Sequence, residues 1–352
     1  MMRAPRSFAV VVRRSDGSLR VRERAMSAQP KGAARWPFVR GIASVVESLR
    51  LGSEALRFSA DQLEQDLALA PAGARAGGGL GIFGAFGVAL FSLATTDGGG
   101  AGAGERRERG GGTWLMVLMA IAFFVAIPQA AAAGVSRLFG LGLEVQSAAF
   151  QAITGAFKLA VVVGYLLAIR RIPEIRRVFQ YHGAEHKTIS TYEAGEPLTV
   201  AAARAKTTLH PRCGTTFLVM VALVSIAVFT VIGAALPRIH SGSALLDNVF
   251  FFFEKLPFLP IIAAVTFELQ RLLARHATSG PLRALLWPGF LVQRITTAEP
   301  DDSELEVALA SLRVTLFRQE AGEQGEGGAA ADDVTFASFG DLLAAARLRA
   351  AA

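Results

Sequence analysis

The sequence predicts an all-α polytopic membrane protein of about four transmembrane helices, with a small N-terminal β-hairpin and cytoplasmic amphipathic helices. Three observations support this prediction. Apolar residues make up 52% of the 352-residue chain and charged residues only 18%. The mean hydropathy is +0.41. The apolar residues also occur in long runs, whereas the half-buried elements of a soluble protein alternate them with polar residues.

Residues 1–35 are predicted to form a β-hairpin segment. The β-branched run FAVVV is followed by the turn residues Ser15-Asp16-Gly17 and then by LRVRE, in which apolar and polar residues alternate. This order is typical of two antiparallel strands that are joined by a tight turn.

Residues 36–69 carry apolar side chains at helical spacing, with arginines and glutamates between them. The pattern predicts an amphipathic helix or helix pair, which lies on the cytoplasmic membrane surface, against the membrane helices, or as an ordinary soluble packing helix. Residues 70–112 are a Gly-rich insertion, in which residues 77–96 are uncharged. We expect these to be interfacial or re-entrant, because a fifth span would place the basic N-terminus outside.

A membrane domain of four spans is predicted within residues 113–276. Each apolar segment is longer than the ~20 residues that a helix needs to cross a bilayer; the segments are residues 113–136, 145–169, 213–237 and 249–273. Residues 277–317 follow as an amphipathic segment, in which Asp301 and its polar neighbours predict the start of a helix over 301–316. Residues 318–352 are predicted to be a flexible tail.

The distribution of Lys and Arg predicts the orientation of these spans. Eight of these residues lie in residues 170–212, whereas the connections 137–144 and 238–255 hold one and two. Cytoplasmic loops carry the excess of positive charge, so residues 170–212 and both termini are predicted to be cytoplasmic. The net charge is +7, but the basic residues form no aromatic-interleaved stripe. The lipid bilayer, and not nucleic acid, is therefore the expected partner.

The polar segment before the third span contains three of the five histidines and the only cysteine. Its first half reads HGAEH, from His182 to His186. In a helix these two histidines are four residues apart and share one face, which suits zinc or another divalent metal. Glu185 lies between them and is the candidate general base, because a carboxylate beside a metal site can accept a proton from water. The same letters occur in the inverted zinc-protease motif.

The second half of the segment, HPRCG, adds His210 and Cys213 as candidate ligands three residues apart. Three histidines and one cysteine would complete a tetrahedral shell, which is typical of a structural zinc site. A catalytic site keeps three protein ligands and leaves one position to water. Two other interpretations stay open: purely structural histidines, and arginines and lysines that recognise phosphate or lipid headgroups.

Three further ionisable residues are candidates for the site. Glu193 lies in the same polar segment. Lys158 and Glu268 lie within apolar segments, where a charge costs a few kcal/mol unless it is paired or reaches water. Glu268 is expected either near the metal site or in a plain salt bridge. Lys158 lies near the middle of its span and is a functional candidate or the partner of a buried acid.

At RRVFQYHGAEHKTISTYEAGEPLT and LHPRCGTTFL the chain resembles the YqhQ-like family of uncharacterised bacterial integral membrane proteins, which are described as predicted metal-dependent enzymes. The opening hairpin is similar as well, as are WPFVRGIASVVESLRLGSEAL, FELQR and WPGFLVQRITTAEPDDSELEVAL. The resemblance implies a multi-pass protein of the bacterial inner membrane that uses a metal, without a known reaction. Family members tend to have an acidic residue where this chain has Thr154, so a partner for Lys158 is not expected within that helix.

These observations lead to a functional hypothesis with two alternatives. The hypothesis is a metal-dependent hydrolase, with zinc or another divalent metal, that acts on a membrane lipid, an isoprenoid or a membrane peptide or protein at the cytoplasmic face. One alternative is a membrane scaffold with a closed structural zinc site. The other is a transporter with Lys158 and Glu268 on its path, which the lack of an evident inverted repeat disfavours.

Overall fold

A small sheet and a set of apolar helices make up the computed structural model, which describes residues 1–26, 36, 39–69, 122–236, 244–276, 281–323 and 332–345. The predicted insertion at 70–112 and the first part of the predicted span 113–136 lie outside the described residues.

The predicted hairpin is confirmed as part of a four-stranded antiparallel sheet. Its strands are β1 (Met2–Ala4), β2 (Ser7–Arg13), β3 (Leu19–Ala25) and β4 (Asp332–Phe336), in the order β1-β2-β3-β4. The turn between β2 and β3 contains Gly17 at φ +87°, a left-handed conformation that glycine adopts without a steric penalty.

Strand β4 corrects the prediction of a flexible tail over residues 318–352. Val334 and Phe336 pair with Val21 and Leu19 of β3, and Arg22 forms a two-point hydrogen bond with the carboxylate of Asp333. A short helix, α11 (Phe339–Ala344), follows β4. Five residues after a Gly-rich stretch give little periodicity, so the pairing surface of β3 decides the conformation of this strand.

Helices cover both faces of the sheet. Phe8 and Val10 pack against α1 (Val39–Leu69). Ala9 and Val11 point the other way and pack against α10 (Asp302–Glu323) and Leu342 of α11. A strand that is buried on both faces has apolar residues at successive positions, which explains the run FAVVV.

The predicted amphipathic helix over 36–69 is confirmed as α1, which joins the sheet to the apolar helices. Its middle packs on the sheet through Leu51 and Phe58. Near its start, Arg40 forms an ion pair with Glu268 of α8 (Phe258–His276). A Cβ on Gly41 would lie 3.0 Å from Phe267, so the two helices are already in close contact there.

Two described helices are long and apolar enough to cross a membrane: α3 (Ala148–Ile169) and α6 (Gly214–Ile232). A third candidate is the pair α7 (Ala244–Lys255) and α8, which is bent by 45° at its break. The shorter α2 (Ile127–Leu138) continues a π-helical turn over Ala122–Ala126. The structure thus supports a membrane protein with two or three candidate spans among its described residues.

The polar segment 170–212, which was predicted as a loop, is largely helical. It contains α4 (Pro173–Glu193) and α5 (Val200–Arg204). Proline is well tolerated in a first helical turn, and α4 buries one face against α10. Because the segment is polar, its hydropathy suggested a loop, whereas tertiary packing makes it a helix.

Helix α10 has the N-terminal cap that its sequence predicted. The side chain of Asp301 accepts hydrogen bonds from the backbone N–H groups of Ser303 and Glu304, and Glu304 accepts one from the N–H of Asp301. This reciprocal pair is a capping box. From there α10 runs between the sheet and α4, and α9 (Trp287–Thr296) lies just before it.

Candidate metal centre

Helix α4 places His182 and His186 on one face, one turn apart, and their ring centroids are 4.5 Å from each other. Gly183 lies between them at a close approach to the segment that follows α9. A Cβ at this position would collide with the backbone oxygen of Ala298. A larger residue would therefore push α4 away and displace both histidines.

Cys213 joins these histidines to form a three-residue group. The ligand atoms of His182, His186 and Cys213 all lie within 4.8 Å of one another, and His182 Nε2 is 3.2 Å from Cys213 Sγ. In the described part of the chain, this is the group of His, Cys, Asp or Glu side chains close enough to hold a metal ion.

Backbone carbonyls orient both imidazole rings. His182 Nδ1 is 2.9 Å from Thr296 O, and His186 Nδ1 is 2.5 Å from Thr208 O. A carbonyl only accepts, so each Nδ1 carries the hydrogen and donates it. Each Nε2 then has a free lone pair, and this is the arrangement usually found in histidines that bind metals.

Cys213 is the N-cap residue of α6, and its sulfur accepts a hydrogen bond from the N–H of Thr215. Burial alone would raise the pKa of the thiol, but hydrogen bonds and positive charge from His182 and His186 lower it to about 5. For His182, burial disfavours the charged ring, but the hydrogen bond to Cys213 outweighs this effect and raises the pKa. The sulfur is thus favoured as a thiolate, which is the form that binds metals.

His210 lies beside this group and is not part of it. Its ring centroid is 5.7 Å from that of His186. Its Nδ1 accepts a hydrogen bond from the N–H of Arg212, and its Nε2 is 3.4 Å from Glu193 Oε2. Burial lowers the pKa of His210, and the opposing charge of Glu193 is the smaller effect. Both nitrogens of a neutral ring are therefore engaged away from Cys213.

Glu193 connects His210 to a second charged residue, since its Oε1 accepts a hydrogen bond from Arg212 at 2.6 Å. The predicted candidate Glu193 is thus part of a His–Glu–Arg group that adjoins the metal-ligand group.

Gln293 of α9 fixes the turn that carries His210 and Cys213, and the sequence analysis did not single it out. The side chain is fully buried. Its Oε1 accepts from His210 N–H, and its Nε2 donates to His210 O, each at 2.8 Å, and also to Thr216 Oγ1. The signal in the sequence was a lone amide within the apolar run FLVQRI.

Glu185 is half-buried on α4, adjacent to the ligand group, and close enough to His182 for its charge to favour the protonated ring. It forms no hydrogen bond or ion pair with the part of the chain that the structure describes. Its neighbour Lys187, also missed from the sequence, is buried; it donates to Arg204 O and pairs with Glu299.

The two intramembrane candidates lie away from the ligand group. Glu268 forms a two-point hydrogen bond with Arg40, at 2.6 Å and 2.5 Å, which is the salt bridge among the expected alternatives. Lys158 lies near the middle of α3 and forms no ion pair with a described residue.

Comparisons with known proteins agree with the resemblance in the sequence. Residues 36–317 match the family described as Protein of unknown function (DUF1385). The chain is 28% identical over 331 residues to the Uncharacterized protein YqhQ of Bacillus subtilis (strain 168), and the match covers 91% of this chain and 90% of that protein. No solved structure matches. The family match spans most of the chain and contains both halves of the histidine and cysteine group, so this protein belongs to the DUF1385 family.

Proposed function

We propose that the protein is a metal-dependent membrane enzyme, a hydrolase that uses zinc or another divalent metal at the cytoplasmic membrane face. One observation supports this most strongly. Three ligand atoms converge within 4.8 Å, and both histidines donate their Nδ1 hydrogen to a backbone carbonyl. The group therefore has the donor types of a zinc site and the orienting hydrogen bonds that such sites use.

The number of ligands favours a catalytic site over a structural one. His182, His186 and Cys213 provide three protein ligands, and His210 is engaged by Glu193 and the N–H of Arg212. Catalytic zinc sites keep three protein ligands, whereas structural sites have four. A divalent metal in this position would supply Lewis-acid activation of water or of a substrate carbonyl or phosphoryl group.

Glu185 is the proposed general base. It shares α4 with both histidine ligands and has no hydrogen-bond or ion-pair partner among the described residues, so its carboxylate is available to accept a proton. Its half-buried position leaves it open to a substrate from solution or from the membrane surface.

The position of the site favours a substrate at the bilayer surface. Cys213 directly precedes the apolar helix α6, and Trp287, at the start of the neighbouring α9, is 53% exposed. Tryptophan is enriched at membrane interfaces. We therefore propose a lipid, an isoprenoid or a membrane peptide as the substrate class.

We also propose a four-span topology in the bacterial inner membrane, with both termini in the cytoplasm. The support is the excess of Lys and Arg in residues 170–212, together with α3, α6, the bent pair α7–α8 and the shorter apolar helix that ends at Leu138.

A structural zinc site in a membrane scaffold is the second candidate. The observation that favours it is that the three ligands join two separate elements, α4 and the N-terminus of α6. A metal there would tie the polar helices to the membrane helices, even without catalysis.

Two substitutions separate the enzyme from the scaffold. In an enzyme, Glu185→Gln should retain metal and abundance yet abolish the rescue of a deletion strain, because the base is lost. In a scaffold, the same change removes only an exposed charge and should leave rescue intact. Cys213→Ser should then cause the larger loss, because it removes a metal ligand. Rescue by Glu185→Gln, together with a metal-depleted and inactive Cys213→Ser, would contradict the enzyme.

A further inference from the structure

The end of the helical bundle that lies opposite the metal-ligand group contains a second cluster of polar and charged residues. Lys255, the last residue of α7, donates a hydrogen bond to Gln151 Oε1 at 2.8 Å. Its ammonium lies 4.0 Å from the ring centroid of Phe251 and 5.2 Å from that of Phe229. The amine is therefore held between two aromatic rings and one neutral acceptor.

Lys158 is the second cation of this cluster. Gln151 and Lys158 are seven residues apart on α3 and hence on the same helical face. Side chains in a helix lean towards its N-terminus, so the Lys158 amine is directed back towards Gln151 and Lys255. The two ammonium groups are close enough to repel each other electrostatically.

Neither lysine forms an ion pair with a residue that the structure describes. Glu254 precedes Lys255, yet its Oε2 is buried and accepts no hydrogen bond from a described residue. Even with Glu254 ionised, two lysines and one glutamate leave a net positive charge. Such an uncompensated charge is costly within a membrane-embedded bundle.

Two hydroxyl groups of the same region also have unused hydrogen-bonding capacity. Thr154 Oγ1 and Thr230 Oγ1 are buried without a hydrogen-bond partner in the described parts of the chain. Thr154 lies between Gln151 and Lys158 on the same face of α3. Close contact between Gly155 and Ile226 sets the register of the antiparallel helices α3 and α6, which brings Thr230 to the level of Gln151. Unsatisfied buried polar groups of this kind often mark an ion or ligand site.

We propose that this cluster binds an oxyanion, a phosphate or carboxylate group, between Lys158 and Lys255. The anion neutralises the two ammonium groups, and the hydroxyls of Thr154 and Thr230 donate to its oxygens. Lys255 occupies the break where α7 and α8 meet at 45°, and helix breaks in membrane proteins commonly line such sites. The group belongs either to an anionic lipid headgroup or to a free anion. This site is separate from the proposed metal centre and does not depend on it.

The test measures the unfolding temperature of the purified full chain in a neutral detergent. One arm compares inorganic phosphate with chloride at equal ionic strength, and the other compares phosphatidylglycerol with phosphatidylcholine in mixed micelles. A ligand that binds the folded state raises the unfolding temperature. We expect a rise of a few degrees with at least one anion source, and the source that acts identifies a free oxyanion or a lipid headgroup.

Three variants make the result specific. Lys158→Met and Lys255→Met should each abolish the rise, whereas Lys206→Met, which removes a lysine paired with Glu196, should retain it. If the two variants do not fold, Thr154→Val provides the test and must weaken the rise without a change of charge. No effect of either anion, or an equal effect on the wild type and on the folded variants at Lys158, Lys255 or Thr154, would overturn the site.

Discussion

Two hydrogen bonds determine how the candidate metal centre is assembled. Thr296 O and Thr208 O each accept from an imidazole Nδ1, so the Nε2 atoms of His182 and His186 face Cys213. Thr296 ends α9, and Thr208 precedes the HPRCG turn. The orientation of the ligands thus depends on backbone groups that are distant in sequence from α4.

Metal content tests this arrangement. The wild-type protein should purify with about one zinc-like ion per chain, and His186→Ala should lose most of it, because each ligand supplies a large share of the binding free energy. His210→Ala is the matched control and should retain the ion, since His210 contacts Glu193 and not Cys213. Elemental analysis of detergent-purified protein measures both. Equal metal loss in the two variants would show that His210 is a ligand after all.

Gln293 gives a prediction about stability. Gln293→Leu leaves the N–H and C=O of His210 buried without partners, and we expect a loss of about 2–4 kcal/mol in the free energy of unfolding. Gln180→Leu is the control: its single 3.3 Å bond is solvent-exposed, so the change should stay within about 0.5 kcal/mol. Chemical unfolding in detergent measures both values. A difference of less than about 1 kcal/mol would show that the turn does not depend on Gln293.

The sequence revealed the residue types of the site better than their grouping. The spacing of His182 and His186 predicted one shared helical face, and the structure has it. The sequence also placed His210 and Cys213 together because they are three residues apart, yet Gln293 turns the peptide so that only Cys213 reaches the histidine pair. Such a contact across 83 residues leaves no local pattern, which explains why Gln293 was missed.

At the level of secondary structure, α1 has the most consequential packing, because it contacts both the sheet and α8. Its amphipathic pattern predicted the helix but left three surfaces open: the membrane, the bundle or a soluble core. The structure uses two of them. Phe58 packs on β2, and Arg40 pairs with Glu268 of α8.

Phe58 is the residue that anchors α1 to the sheet. Its side chain is fully buried, and the Arg22 guanidinium lies 4.2 Å from its ring centroid. Phe58→Ala should therefore cost about 3–5 kcal/mol of stability. Leu56→Ala, at a position 53% exposed on the same helix, should cost less than about 1 kcal/mol. Unfolding curves of both variants would decide, and similar costs would mean that α1 is not held by the sheet.

Strand β4 shows where prediction from local sequence fails. The hairpin was predictable because alternation and turn residues lie within 18 residues of one another. Val334 and Phe336 belong to a five-residue strand whose partner, β3, is more than 300 residues earlier. Pairing with a preformed edge determines this strand, and no short window contains that information.

For the whole molecule, the proposed topology places α4, α5 and the sheet together on the cytoplasmic side. Helix α10 packs on the sheet through one set of residues and on α4 through another. The metal-ligand group then lies on the side of the bilayer that contains both chain termini, and the lysine cluster lies on the opposite side.

Reporter fusions test this orientation. A reporter within residues 193–203 should give a cytoplasmic signal, because Lys and Arg are concentrated in residues 170–212. A reporter within residues 240–244, beyond α6, should give an external one. Comparable abundance of the two fusions is the necessary control. An external signal from the first fusion would invert the topology and move the proposed site out of the cytoplasm.

The four-stranded sheet has a consequence for the number of membrane crossings. It contains the first 25 residues as β1 to β3 and residues 332–336 as β4, so the path between them starts and ends on one side of any bilayer. If α3 and α6 both cross, each has an end at α4, on the side of the sheet. Parity then requires an odd number of crossings before α3 and another odd number after α6. The helix ending at Leu138 and the bent pair α7–α8 satisfy this with one each, and any further crossings would have to come in pairs.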